Sequence, residues 1–149
     1  MRKIKFLLFA VLAAMTVPVL SASIENTDDE QFAEITFEKT THNFGLFDKA
    51  HGDQTCWFVF KNTGNKELII TSASASCGCT VPEYPKTAIL PGMQDSIKVT
   101  YKGSTRSVGT FRKTISLTTN AKVNSTYLYI TGEMVEQLVE DRVAKPESK

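Results

Sequence analysis

The chain of 149 residues has almost no net charge, two histidines, three cysteines, one tryptophan and no long apolar run. Each scarcity closes off a class of function. Seventeen Lys and Arg against 16 Asp and Glu give a formal charge of +1. The first 23 residues hold three of the bases and none of the acids, so the remainder carries 14 against 16, a net −2. That balance excludes the broad basic field of a nucleic-acid binder. The main apolar run, Phe6 to Val19, is broken only by Thr16 and Pro18. It falls short of the about 20 residues that a membrane-spanning helix needs. There is no phosphate-cradling glycine loop, no zinc-helix motif, no serine in a nucleophile elbow and no pair of carboxylates in an apolar setting. Nothing supports hydrolase or transferase chemistry. What is present is 42% hydrophobic and 22% charged, a composition that can enclose one core at this length.

Arg2, Lys3 and Lys5 precede the apolar run, and Ser21-Ala22-Ser23 follows it. A positive start, a short apolar centre and small residues at the end form the pattern of a secretory signal peptide over residues 1–23. No cysteine stands at or just after that run, so the usual bacterial lipid-attachment thiol is missing. The expectation is a soluble exported protein, periplasmic or secreted, with no transmembrane anchor after cleavage. Residues 24–31 form an acidic lead-in, residues 32–135 the folded domain, and residues 136–149 a polar tail.

From Phe32 onward, apolar residues alternate with a period of two and turn residues punctuate them. Ile35 and Phe37 alternate, then Phe44 and Leu46, then Cys56, Phe58 and Phe60. Asn62-Thr63-Gly64-Asn65 reads as a tight corner in which Gly and Asn tolerate positive φ. Leu68 to Ile70 reads as a more fully buried strand, and Pro91-Gly92 as a second turn. Ile97, Val99 and Tyr101 alternate next. Phe111, Ile115 and Leu117 follow, and Tyr127 to Thr131 make the last strand. Phe44, Phe47, Phe58, Phe60 and Phe111 fall at core phase. The fold class is therefore all-β, an immunoglobulin-like β-sandwich of about seven strands. In the tail, Val135, Leu138, Val139 and Val143 have roughly helical spacing, which predicts a short helix there.

Phe58-Val59-Phe60-Lys61-Asn62-Thr63-Gly64-Asn65, Ser76-Cys77-Gly78-Cys79-Thr80 and Ile89-Leu90-Pro91-Gly92 occur in a telling order. The chain resembles a family of exported bacterial immunoglobulin-like domains with a CGCT motif, domain of unknown function number fifteen seventy-three. It is more remotely similar to Hydin-type and major-sperm-protein-like domains. Gly109-Thr110-Phe111, Thr119-Asn120 and Ile130-Thr131-Gly132 fit the same pattern, which spans about residues 35–133. The resemblance implies a sandwich fold and an exported location, and it transfers no catalytic residue. By analogy of fold, its remote relatives imply a protein-binding or scaffold role.

The cysteines hold the only distinctive chemistry. If Asn62 to Asn65 reverses the chain, Cys56 lies level with Ser72, and Cys77 is five residues further, about 16 Å along a strand. A disulfide needs Cα atoms within about 7 Å, so a bond from Cys56 to Cys77 or Cys79 would need the chain after Thr71 to fold back sharply; otherwise Cys56 is read as a small buried hydrophobe. Cys77 and Cys79 are the disulfide candidates, with Gly78 letting the backbone pinch between them. Three readings remain for the pair: a local disulfide or packed thiol pair that shapes a corner, thiol-redox exchange, or soft-metal binding. As metal candidates Cys77 and Cys79 supply two ligands, where a closed zinc site needs four. His42 and His51 are read as strand-edge and loop residues rather than ligands. Trp57, on the face opposite Phe58, is the candidate binding anchor. The expected function is an exported, non-catalytic interaction or structural module of the cell envelope, with protein partners there, no cofactor and no nucleic acid. The alternative is thiol-redox or copper or zinc handling by Cys77-Gly78-Cys79.

Overall fold

The computed structural model describes residues 30–138. Residues 1–29 and 139–149, on which the expected signal peptide, most of the expected acidic lead-in and most of the expected tail fall, lie outside the described residues. Eight strands run in chain order: β1 (Ile35–Phe37), β2 (Thr41–Asp48), β3 (Asp53–Asn62), β4 (Ile70–Ala75), β5 (Thr80–Glu83), β6 (Gln94–Lys102), β7 (Gly109–Thr119) and β8 (Ser125–Val135). They form two four-stranded sheets, ordered β1-β3-β6-β5 and β2-β8-β7-β4. All pairings are antiparallel except β2 with β8. The protein is an immunoglobulin-like β-sandwich.

Strand periodicity fills the space between the sheets. Cys56, Phe58 and Phe60 on β3 and Ile97, Val99 and Tyr101 on β6 are buried on one side. Ile115 and Leu117 on β7 and Leu128, Ile130 and Met134 on β8 meet them from the other. Each such side chain contributes about 1.5–3 kcal/mol by leaving water. Phe47 is buried with them, while Phe44 and Phe111 pack at the margin. Tyr101 stacks on Phe111 at 4.1 Å between centroids, which ties the two sheets together.

Three expectations are corrected, while the count agrees: the described residues form eight strands where about seven were expected. The stretches after Ile70 and after Cys79 form β4 and β5; in β4, Ala73 and Ala75 alternate with serines, too small to register as a strand signal. Leu68 to Ile70 is not a buried strand. Leu68 makes an isolated bridge with Ile89, Ile69 is exposed, and only Ile70 enters β4. Val135 closes β8 instead of opening a helix, since its neighbour Met134 is buried at strand phase; the rest of that expected helix falls almost wholly outside the described residues. The corner after β3 does not rest on positive φ at Gly64. Gly64 is needed for space: a Cβ there would strike the Phe32 carbonyl and come within 2.7 Å of the Glu34 nitrogen.

Asn62 builds that corner. It is fully buried at the end of β3. Its Nδ2 donates to the carbonyls of Lys66 (2.8 Å) and Ile89 (2.9 Å), and its Oδ1 accepts from Gly64 N–H (3.1 Å). Asn120 fastens the same crossing from the other sheet, accepting from Ile69 N–H and donating to the Glu67 carbonyl. The chain thus passes from the first sheet to the second over a floor of side-chain amides, which stand in for the missing ladder.

Candidate functional site

Two features carry the residues singled out in the sequence, and they sit on opposite flanks of the sandwich. On one flank, β4 and β5 are edge strands of different sheets, joined by the corner Ser76–Cys79. The sulfurs of Cys77 and Cys79 are bonded, with Cα atoms 5.2 Å apart. Cys79 is buried and Cys77 half-buried. Thr80 N–H donates to the Cys77 carbonyl and Lys102 N–H to the Cys79 carbonyl. The buried Thr80 hydroxyl lies 3.7 and 3.8 Å from the two sulfurs. Gly78 takes no left-handed φ, and a Cβ on it would meet nothing within 4 Å. The pinch expected of Gly78 is therefore not what closes this corner; the backbone bonds of Cys77 and Cys79 do that.

Cys56 is free and buried, and burial pushes its thiol up to about 11. It is unreactive for that reason. Among the described residues, no group of three or more His, Cys, Asp or Glu is placed to hold a metal ion.

On the opposite flank the chain changes sheets between β1 and β2. β1 pairs with only Phe60, Lys61 and Asn62 of the ten-residue β3, and a last bond runs from Glu38 N–H to the Val59 carbonyl. Below Val59, β3 has β6 on one side and, among the described residues, no strand on the other. Thr63 N–H and the Val59 carbonyl point toward β1, whereas Asn62 N–H and its carbonyl bond Met93 and Gly92 on the β6 side. Alternation along the strand then aims the N–H and C=O groups of Trp57, Thr55 and Asp53 at the uncovered side. Trp57 stands on the outer face beside them and is 53% exposed.

The histidines differ from each other. His51, in a single turn of 3-10 helix (Lys49–His51), bonds Asp48 at 2.8 Å through its ring, and these contacts hold the Asp48 carboxyl below its usual range. His42 lies on β2, half-buried against Phe44, with its Nδ1 3.3 Å from Lys39 Nζ. Burial, and then the lysine charge, lower its pKa. Asn62 and Asn120 are the residues whose part was missed. Their signal was available, since each follows a strand and precedes a chain reversal, but a corner asparagine reads first as a φ-tolerant residue.

The concavities are shallow. One, of about 430 Å³, lies over the outer face of β2, β8 and β7 and is lined by residues including Asn43, Leu46, Thr110, Thr131 and Glu133. No titratable pair suited to catalysis lines it. A family model described as a protein of unknown function, DUF1573, matches residues 35–134. The chain belongs to this family. No curated protein matches it.

Several solved structures share the fold. A protein of unknown function from Porphyromonas gingivalis W83 is 14% identical with a TM-score of 0.61, covering 74% of this chain and 51% of its own. The chain thus spans about half of that protein. The ASH/PapD-like domain 7 of human CEP192 is 8% identical with a TM-score of 0.57, covering 90% of this chain and 99% of its own. The secreted serine protease VesC of Vibrio cholerae is 11% identical with a TM-score of 0.52, and the match takes in only 26% of that protein. At these identities the likenesses establish the sandwich and nothing more. Among the described residues no helix is long and apolar enough to cross a membrane.

Proposed function

We propose that this member of the DUF1573 family is an exported, non-catalytic module of the cell envelope that works by binding protein partners. One observation carries the reading: the sandwich exposes its lone tryptophan beside backbone donors and acceptors that no strand among the described residues covers. Exposed edges pair with other chains, and a large aromatic supplies buried area at small entropic cost. The N-terminal pattern supports export, periplasmic or secreted, of a chain that begins after residue 23. In the folded part, residues 32–135 are the working unit, with residues 24–31 and 136–149 as polar flanks.

The Cys77–Cys79 bond serves as a local brace between the two edge strands. Thiol exchange has no favouring geometry. Attack on the accessible Cys77 sulfur would expel the Cys79 sulfur as a thiolate into a buried site, where burial makes it a poor leaving group. Soft-metal handling would need ligands that the corner does not bring together. The test of the main reading is affinity capture, after cross-linking in intact cells, of the full chain from the envelope of its source organism. A partner recovered in stoichiometric amount is expected. Recovery of the chain alone would sink the reading.

A further inference from the structure

The uncovered part of β3 has a neighbour of definite chemistry. Lys39 is the first residue after the last β1–β3 bond, and His42 is the second residue of β2, just beyond the crossing. Their nitrogens lie 3.3 Å apart, and among the described residues neither makes an ion pair with a carboxylate. Glu38 N–H bonds the Val59 carbonyl at 3.1 Å, so Lys39, the next residue, stands where β3 loses its neighbour. A lysine ammonium, which donates to His42 Nδ1, therefore stands beside the edge whose N–H and C=O groups are open.

We propose that the half-edge Asp53 to Trp57 accepts an extended segment of a partner protein as an added strand, and that this segment carries a carboxylate that seats against Lys39 and His42. This rests on the reading of the chain as a binding module and names where it binds and what it selects. The added strand takes its affinity from the backbone groups of Thr55 and Trp57 and covers the indole with an apolar side chain. Its carboxylate offsets a charge that the fold leaves unpaired. A lysine that merely guards the edge against aggregation would exclude acidic and neutral segments alike.

The test is a nuclear magnetic resonance titration of the full chain without its signal segment. The probe is a short synthetic peptide of alternating valine and threonine with one central aspartate. Expected are amide shifts confined to Asp53–Val59 and a blue shift of Trp57 fluorescence. Replacing the aspartate by asparagine weakens binding about tenfold, the worth of a charge-assisted over a neutral hydrogen bond. Lys39→Gln removes that preference while leaving the asparagine peptide bound as before. N-methylation of alternate peptide nitrogens abolishes binding. Equal binding of the methylated peptide, equal binding of the aspartate and asparagine peptides to the unaltered chain, shifts on another surface, or dimerisation through this edge would each overturn the proposal. None of those four results touches the broader reading, which falls only if cross-linking in cells yields no partner.

Discussion

Replacing Asn62 by alanine removes the buried amide that holds the corner between β3 and β4. The Ile89 carbonyl keeps a second donor in Leu68 N–H, at 2.9 Å, so its loss is partial. The Lys66 carbonyl and Gly64 N–H lose their Asn62 bonds outright. A buried polar group left without a partner costs about 1–3 kcal/mol. Two such groups, each partly reached by water, give a destabilisation of about 2–4 kcal/mol. For a domain near 100 residues, 1 kcal/mol moves the melting temperature by roughly 4 °C, so a fall of about 8–16 °C is expected. Far-ultraviolet circular dichroism during heating measures it. The control is Asn124→Ala, whose side chain makes one exposed bond, 3.3 Å from Ser125 Oγ, and should change stability by less than about 0.5 kcal/mol. If both variants melted together, the corner would owe nothing to the Asn62 amide, and this account of how the chain changes sheets would be wrong.

Other perturbations give equally definite outcomes. Gly103→Ala should be poorly tolerated, because a Cβ there overlaps the Gly52 carbonyl across the β2–β3 and β6–β7 loops, whereas Gly78→Ala, with open space and ordinary φ, should change stability by less than about 0.5 kcal/mol; chemical denaturation compares them. Reducing the Cys77–Cys79 bond should cost only about 1.5 kcal/mol, since so short a loop removes little unfolded-state entropy, and the melting temperature with and without reductant reads it. Cys56 should resist alkylation at neutral pH in the native protein and react fully once denaturant is added, as mass spectrometry will count. The lowered pKa of His42 means that the unfolded chain binds the proton more readily. Stability should therefore fall as pH drops from about 6.5 toward the folded pKa, and His42→Gln should flatten that slope in denaturation curves taken across the window.

How far the residues alone disclosed this molecule follows from what each signal measures. Alternation of large apolar side chains marks strands that bury one face, and β3, β6, β7 and β8 were legible on that ground. β4 was not, because an edge strand of serines and alanines buries too little to leave a pattern. The corner at Asn62 was placed correctly and explained wrongly: composition marks a reversal, but only coordinates distinguish a tolerant φ from an amide that bonds four backbone groups, the Glu34 N–H at 3.5 Å among them. Burial of Cys56 and outward placement of Trp57 followed from strand phase. The uncovered half-edge beside Trp57 was invisible. It depends on where β1 stops pairing, and no residue in β3 itself records how far its neighbour extends.

A photoreactive amino acid placed at Thr55 in the full chain, irradiated in living cells, addresses the central claim most directly. The account predicts one discrete cross-linked partner from the envelope, in yield comparable to the protein itself, and none from the same probe at Asn124. Absence of a product from Thr55 would contradict it.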